Sequence, residues 1–254
     1  MSDICIVHHL GLGDQIMLNG MVRHFAEKYT NVHIFVKNCH KDSVEFMYRD
    51  LKNIKFIYVD NTNPRDIWSR VPKCTVVPLA TYAVPDNTWA FFTQSKEGNL
   101  FTNWAHGVYI QAGLNPKYMY SKFKVIRDCA REDNLYKHYN LQRDTYIFKH
   151  DDPARDRKIT KIESTLQLFS PDSKPIDDRQ EFFETTNPNI FDYIKIIENA
   201  KEVHCMNSSY NWMIDLMNIG DKSKNFFHTY AAHPYYTPRT VKTVFNDEVW
   251  TFVD

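Results

Sequence analysis

The sequence has no excess of charge of either sign: 31 Lys and Arg stand against 31 Asp and Glu, for a formal net charge of zero. A polyanion-binding surface needs a basic surplus, so nucleic acid is excluded as an expected partner, while a local phosphate site is not. Cysteine is sparse and scattered, at Cys5, Cys39, Cys74, Cys129 and Cys205, with no CxxC pair. That spacing indicates neither a disulfide framework nor a zinc knuckle and suits a reducing compartment. No apolar run approaches the roughly 20 residues that a membrane span needs. The opening MSDICIVHHL lacks a signal-peptide pattern, so a cytoplasmic location is expected. Repeats of solenoid period and low-complexity tracts are also missing.

What the chain does have is a set of strand-turn-helix units. The apolar run Ile4 to Val7 breaks at Gly11-Leu12-Gly13-Asp14 and resumes at helical spacing with Ile16, Leu18, Met21, Val22 and Phe25, which reads as strand, tight turn, helix. No third glycine follows at dinucleotide-fingerprint spacing and no Gly-Lys-Ser/Thr follows at all, so neither a dinucleotide fingerprint nor a P-loop is present. Asp14 falls at or near the helix N-cap, where the dipole favours a carboxylate. Strands at Val32 to Val36 and Ile54 to Val59, with a helical segment at Asp42 to Leu51 between them, extend the unit to β-α-β-α-β and call for a parallel sheet. Cys74 to Leu79 is a candidate fourth strand and Trp104 to Leu114 a helix ending near Gly113. Asp86 to Asn103 reads as a polar, aromatic loop able to fold over a ligand.

Around Asn115 to Asn140 the pattern turns polar, and a second alternating series begins at Thr145 to Lys149. It continues with strands at Leu166 to Phe169, Glu202 to Met206 and Asn225 to His228, and helices at Ile190 to Asn199 and from Ser208 or Ser209 to Met217. The expected fold is therefore α/β, two Rossmann-like lobes with parallel sheets facing a central cleft, divided as residues 1–120 and 121–254. In the second lobe the stretch Lys149 to Arg157 (KHDDPARDR) leaves the end of a strand. His150 and either Arg155 or Arg157 are placed to meet a phosphate, the guanidinium in a fork geometry that lysine lacks. A second strand there runs through Asn207-Ser208-Ser209 straight into an amphipathic helix, and hydroxyls with free N–H groups at such a helix start suit a pyrophosphate.

Taken together these stretches resemble the glycosyltransferases of the two-Rossmann-domain type, GT-B, and particularly the heptosyltransferase-like group. The resemblance rests on the Gly13-Asp14 turn after the first strand and on a late strand entering a Ser-containing helix start. It implies a catalytic base at Asp14, with His9 and its neighbour His8 in reserve. It implies donor contacts at Gly11, Gly13, His150, Arg155, Arg157, Asn207, Ser208 and Ser209. The family's late motif usually reads Asp-Ser/Thr-Gly before a helix with His, whereas this chain has Asn207-Ser208-Ser209, a departure that bears on the donor's identity.

The activity implied is transfer of a sugar from a nucleotide-diphosphate donor to a hydroxyl of a glycan or glycoconjugate acceptor, inverting, with no cofactor and no metal. Asp151-Asp152 is the nearest approach to a metal-binding DxD. A sugar-nucleotide epimerase or phosphorylase of the same architecture, or a non-catalytic nucleotide- or glycan-binding module, are the rival readings.

Overall fold

The computed structural model describes residues 2–60, 62–80, 104–152, 155–171, 188–232 and 245–254. The loop expected at Asp86 to Asn103 lies outside these, as do Pro153 and Ala154 of the KHDDPARDR stretch. The chain divides into two compact units, Met1–Ile126 and Arg127–Asp254.

In the first unit the strands β1 (Ile4–Val7), β2 (Val32–Lys37), β3 (Ile54–Val59) and β4 (Thr75–Pro78) form one parallel sheet in the order β3-β2-β1-β4. β1 is central, pairing Ile4 with Val32 on one side and Val7 with Pro78 on the other, and all four of its residues are buried. A strand covered on both faces needs an unbroken apolar run instead of an alternation, which is what ICIV supplies. Cys5, Val7, Leu10, Phe35, Val59 and Ile67 form the core against this sheet.

The helix after β1 is interrupted. α1 (Leu12–Met17) ends and α2 (Asn19–Ala26) begins around Leu18. The cause is Tyr109, on helix α5 (Trp104–Gln111), which comes after α3 (Lys41–Tyr48) and α4 (Pro64–Ser69). Its hydroxyl donates to the Met17 carbonyl at 2.9 Å and accepts from the Met21 N–H at 3.1 Å, so a side chain stands in the rung that an unbroken helix would close. The approach is close enough that a Cβ on Gly20 would meet the Tyr118 carbonyl oxygen at 2.0 Å, so glycine is obligatory there. Tyr118 opens the short helix α6 (Tyr118–Ser121).

The second unit carries β5 (Tyr146–His150), β6 (Gln167–Phe169), β7 (Glu202–Cys205), β8 (Asn225–His228) and β9 (Thr251–Val253), all parallel, in the order β6-β5-β7-β8-β9. The charged segment read as an inter-lobe stretch is helix α7 (Cys129–His138), capped by the Asp128 side chain. Its charges are used internally: Arg131 forks onto the fully buried Asp192 at 2.9 and 2.7 Å, and Arg127 holds both Glu132 and Glu198. The expected helix at Ile190 to Asn199 is a 3₁₀ turn, Ile190–Tyr193, leading into α8 (Ile194–Asn199), and Asn189 and Asp192 form a capping box at its start. Helix α9 (Ser209–Met217) follows β7 directly and ends on Asn218 in the left-handed region. Among the described residues no helix is long and apolar enough to cross a membrane.

Candidate functional site

Parallel α/β sheets bind ligands beyond the carboxyl ends of their strands, and each unit gathers chemically distinctive side chains at that edge. In the first unit the N-cap of α1 is Gly11, so Asp14 is not the cap but the third residue of the helix. Its side chain folds back over the cap: a Cβ placed on Gly11 would stand 2.6 Å from Asp14 Oδ2. Gly11 has an ordinary φ of −68°, so backbone freedom does not call for glycine there, and a Cβ would displace only the end of the Asp14 side chain.

Immediately after β1, the buried His8 turns its Nδ1 onto the His9 carbonyl. A carbonyl only accepts, so Nδ1 carries the proton and Nε2 keeps a lone pair. That Nε2 is buried and has no hydrogen-bond partner among the described residues. Burial pushes the His8 pKa down to about 4, so the ring is neutral at pH 7. His9 packs edge-on against Trp104, 5.9 Å between ring centroids, and burial with the nearby Lys37 lowers its pKa too. The first unit's edge therefore presents proton acceptors.

In the second unit the chain leaves β5 at His150, whose ring lies 4.5 Å from that of Tyr210 on α9. Asp152 and Arg157 then pair backbone to backbone in both directions at 3.0 Å, closing a tight loop with Asp156 at φ +50°. The two candidate arginines part company here. Arg155 is exposed and its Nη1 sits 2.6 Å from Asp152 Oδ2, whereas Arg157 turns inward with Nη1 buried and unpartnered among the described residues.

Beyond Arg157 the chain straps across the ends of the next strands. Ile159 packs with Met206 and Ala231, and the Thr160 and Lys161 N–H groups donate to the Tyr230 hydroxyl at 2.9 and 2.8 Å. Asp151 stays with protein partners, Lys149 at 2.9 Å and the Ile159 N–H at 2.8 Å. Among the described residues no three His, Cys, Asp or Glu side chains converge as metal ligands would.

Ser208 is the N-cap of α9, and Asn211 Oδ1 accepts from its N–H at 2.7 Å. A backbone N–H can only donate, so the amide atom facing it is the oxygen and Asn211 Nδ2 is left over. That nitrogen, in a fully buried side chain, has no partner among the described residues, and the Ser208 hydroxyl, whose oxygen faces the Asn211 backbone N–H in a capping box, gives its own hydrogen to none of them. Three buried donors thus stand unanswered around two neighbouring strand ends: Arg157 Nη1, Ser208 Oγ and Asn211 Nδ2. Ser209 is the first residue of α9, and Asn207 lies in the turn before it.

The sequence reading did not single out Asn211, although a polar residue three past a serine cap is the usual capping-box signal. It also passed over Glu202, His204 and His228, which hydrogen-bond in series on β7 and β8. Glu202-Val203-His204 shows the strand period of two that puts both polar side chains on one face; the register that brings His228 to them has no sequence signal.

This architecture, two parallel-sheet α/β units in one chain, is the GT-B-like fold that the resemblance implied. It is shared across the whole chain with solved glycosyltransferase structures. One is the glycosyl transferase family 9 protein from Veillonella parvula DSM 2008, with a TM-score of 0.52 at 10% identity, covering 99% of this chain and 85% of that one. Another is the E. coli ADP-heptose lps heptosyltransferase II, with a TM-score of 0.52 at 9% identity, covering 100% of this chain and 90% of that one. No family model and no curated protein sequence matches the chain.

Proposed function

We propose that this protein is a glycosyltransferase that moves a sugar from a nucleotide-diphosphate donor to a hydroxyl of a glycan or glycoconjugate acceptor, with inversion and without a metal. The observation that carries the reading is the trio of buried, unpartnered donors Arg157 Nη1, Ser208 Oγ and Asn211 Nδ2. Buried donors are almost always answered, and a diphosphate supplies acceptor oxygens of the right charge at a helix start. Arg155, held by Asp152 in solvent, is secondary on this reading, and His150 with Tyr210 gives a ring surface beside the phosphates.

Gly11 and Gly13, expected among the donor contacts, move to the acceptor side. The Asp14 carboxylate stands over Gly11, and a phosphate brought there would meet like charge. Asp14 takes the proton of the acceptor hydroxyl as its oxygen attacks the anomeric carbon. The bond from that carbon to the diphosphate oxygen breaks, and the charge released falls on Arg157 and the α9 start. His8 Nε2, a neutral lone pair at the same edge, is the second base candidate, ahead of His9. The fold shared with two glycosyltransferases supports the reaction class.

The test is a thermal-shift screen of nucleoside diphosphates on the full chain, where a ligand at 100 times its dissociation constant adds about 2.7 kcal/mol. Release of the diphosphate from a sugar nucleotide with an added acceptor is then measured. Absence of binding by every nucleoside diphosphate overturns the reading. Binding with epimerisation or phosphorolysis in place of transfer moves the protein to another reaction class.

A further inference from the structure

His204 Nε2 lies 3.0 Å from Glu202 Oε2, and its Nδ1 lies 2.8 Å from His228 Nε2. The protons along this chain are fixed by its first member. An ionised carboxylate only accepts, so His204 Nε2 donates; in a neutral ring Nδ1 then accepts, His228 Nε2 donates, and His228 Nδ1 is left with a lone pair. Burial lowers the pKa of both rings, that of His228 to about 4, so the neutral forms apply at pH 7.

His228 is fully buried, and its Nδ1 has no partner among the described residues. The groups around it are Lys149, Asp151 and Lys161, together with the Tyr230 ring at 5.4 Å, edge-on. It ends β8 beneath the strap from Arg157 to Lys161, which the Tyr230 hydroxyl ties down. The unanswered atom of this chain is thus an acceptor, at an edge where Arg157 Nη1, Ser208 Oγ and Asn211 Nδ2 are unanswered donors. It has nothing to offer a phosphate oxygen and needs a partner with a hydrogen to give.

We propose that His228 is a specificity-determining residue whose Nδ1 accepts a hydrogen bond from an uncharged donor on the bound nucleotide, a ribose hydroxyl or a base N–H, with Glu202 and His204 as positioning residues. This rests on the nucleotide-diphosphate reading and extends it from the phosphates to the nucleoside. A hydroxyl or N–H that loses a buried acceptor is left unsatisfied, so the site discriminates against nucleotides lacking that donor.

The experiment is calorimetric titration of the full chain with ADP, GDP, CDP and UDP, then with two series of analogues. One removes ribose donors through the 2′-deoxy and 3′-deoxy diphosphates. The other changes base donors at constant ribose, as IDP does against ADP. Wild type is expected to lose roughly five- to tenfold in affinity in one series. His228→Phe keeps a ring in the space and should bind parent and analogue alike.

Glu202→Lys, at the half-exposed start of β7, supplies a group that only donates. It reverses every proton in the chain and turns His228 Nδ1 into a donor, which should abolish discrimination in the base series, where an N–H cannot accept; a ribose hydroxyl can turn round and accept, so in the ribose series His228→Leu carries the test if His228→Phe does not fold. A merely structural chain would change melting temperature and leave the ratio of parent to analogue as in wild type. That unchanged ratio, or a wild type that discriminates in neither series, overturns the proposal while leaving the phosphate site standing. Failure of all four diphosphates to bind removes both readings.

Discussion

Gly11 opens α1 and Ser208 opens α9, and three residues into each helix a polar side chain turns back toward the opening residue, Asp14 in the first unit and Asn211 in the second. The two turns share a plan and differ in charge. A carboxylate over the first turn neutralises the partial positive charge of that helix start, leaving nothing for an incoming anion. The neutral amide over the second leaves that field open and adds an unanswered N–H to it. The surroundings repeat the contrast, with a histidine lone pair at His8 in the first unit and a guanidinium with its Nη1 buried at Arg157 in the second. On the proposed function, one turn takes a proton and the other takes up negative charge, the division of labour that glycosyl transfer requires.

The largest expected effect tests the first turn alone. Asp14→Asn keeps the shape but cannot accept a proton, so transfer should fall by about 10²- to 10⁴-fold, measured as kcat, with diphosphate affinity unchanged. Normal turnover in this variant would transfer the role to His8 Nε2. The second turn is tested by Arg157→Ala, expected to weaken nucleoside diphosphate binding by about tenfold or more in calorimetry. Arg155→Ala, by contrast, should leave it nearly unchanged; equal losses would erase the distinction drawn between the two arginines.

Acid should affect both units in one pH window. His8 and His228 have folded pKa values near 4 against the usual 6.5, so between those values the unfolded chain binds more protons and stability rises with pH. Their contribution is fully present above about pH 6.5 and is lost as pH falls toward 4. Melting temperature across that window should therefore decline, and a flat profile would contradict neutral burial of the two rings. The smallest effect is the most direct trial of the comparison. Asn211→Asp gives the second turn the acid of the first and should lower diphosphate affinity by several-fold; the side chain is fully buried, so the melting temperature should fall as well, by the cost of placing a carboxylate there.

Much of the architecture was legible before any coordinates. Ile54–Val59 and Asn225–His228 are strands at the bounds read from sequence, and Ser209–Met217 is the expected helix, because each combines a clear period with a sharp flanking turn. The Cys129–His138 helix was hidden because its stability comes from ion pairs such as Arg131–Asp192 and not from an apolar stripe. At the site, the turns and candidate residue types were readable, but which arginine turns inward was not. That depends on the backbone pairing of Asp152 with Arg157 around a left-handed Asp156, a conformation with no compositional mark. The Glu202–His204–His228 chain was half visible, its first two members by strand alternation and its third only through the pairing of β7 with β8.

The hydroxyl of Tyr109 set between Met17 and Met21 also bears on the order in which the first unit assembles. The break between α1 and α2 is completed by a residue about ninety positions further along the chain, so the helix carrying Asp14 cannot reach its final form from local contacts alone. Contacts of such sequence separation form late, after the loop between them has been closed. During synthesis the Gly11 turn therefore waits, with its helix free to run straight, until Tyr109 has emerged and docked. Hydrogen exchange at the Met21 amide would report that event, its protection arriving with the helix Trp104–Gln111 and not with β1.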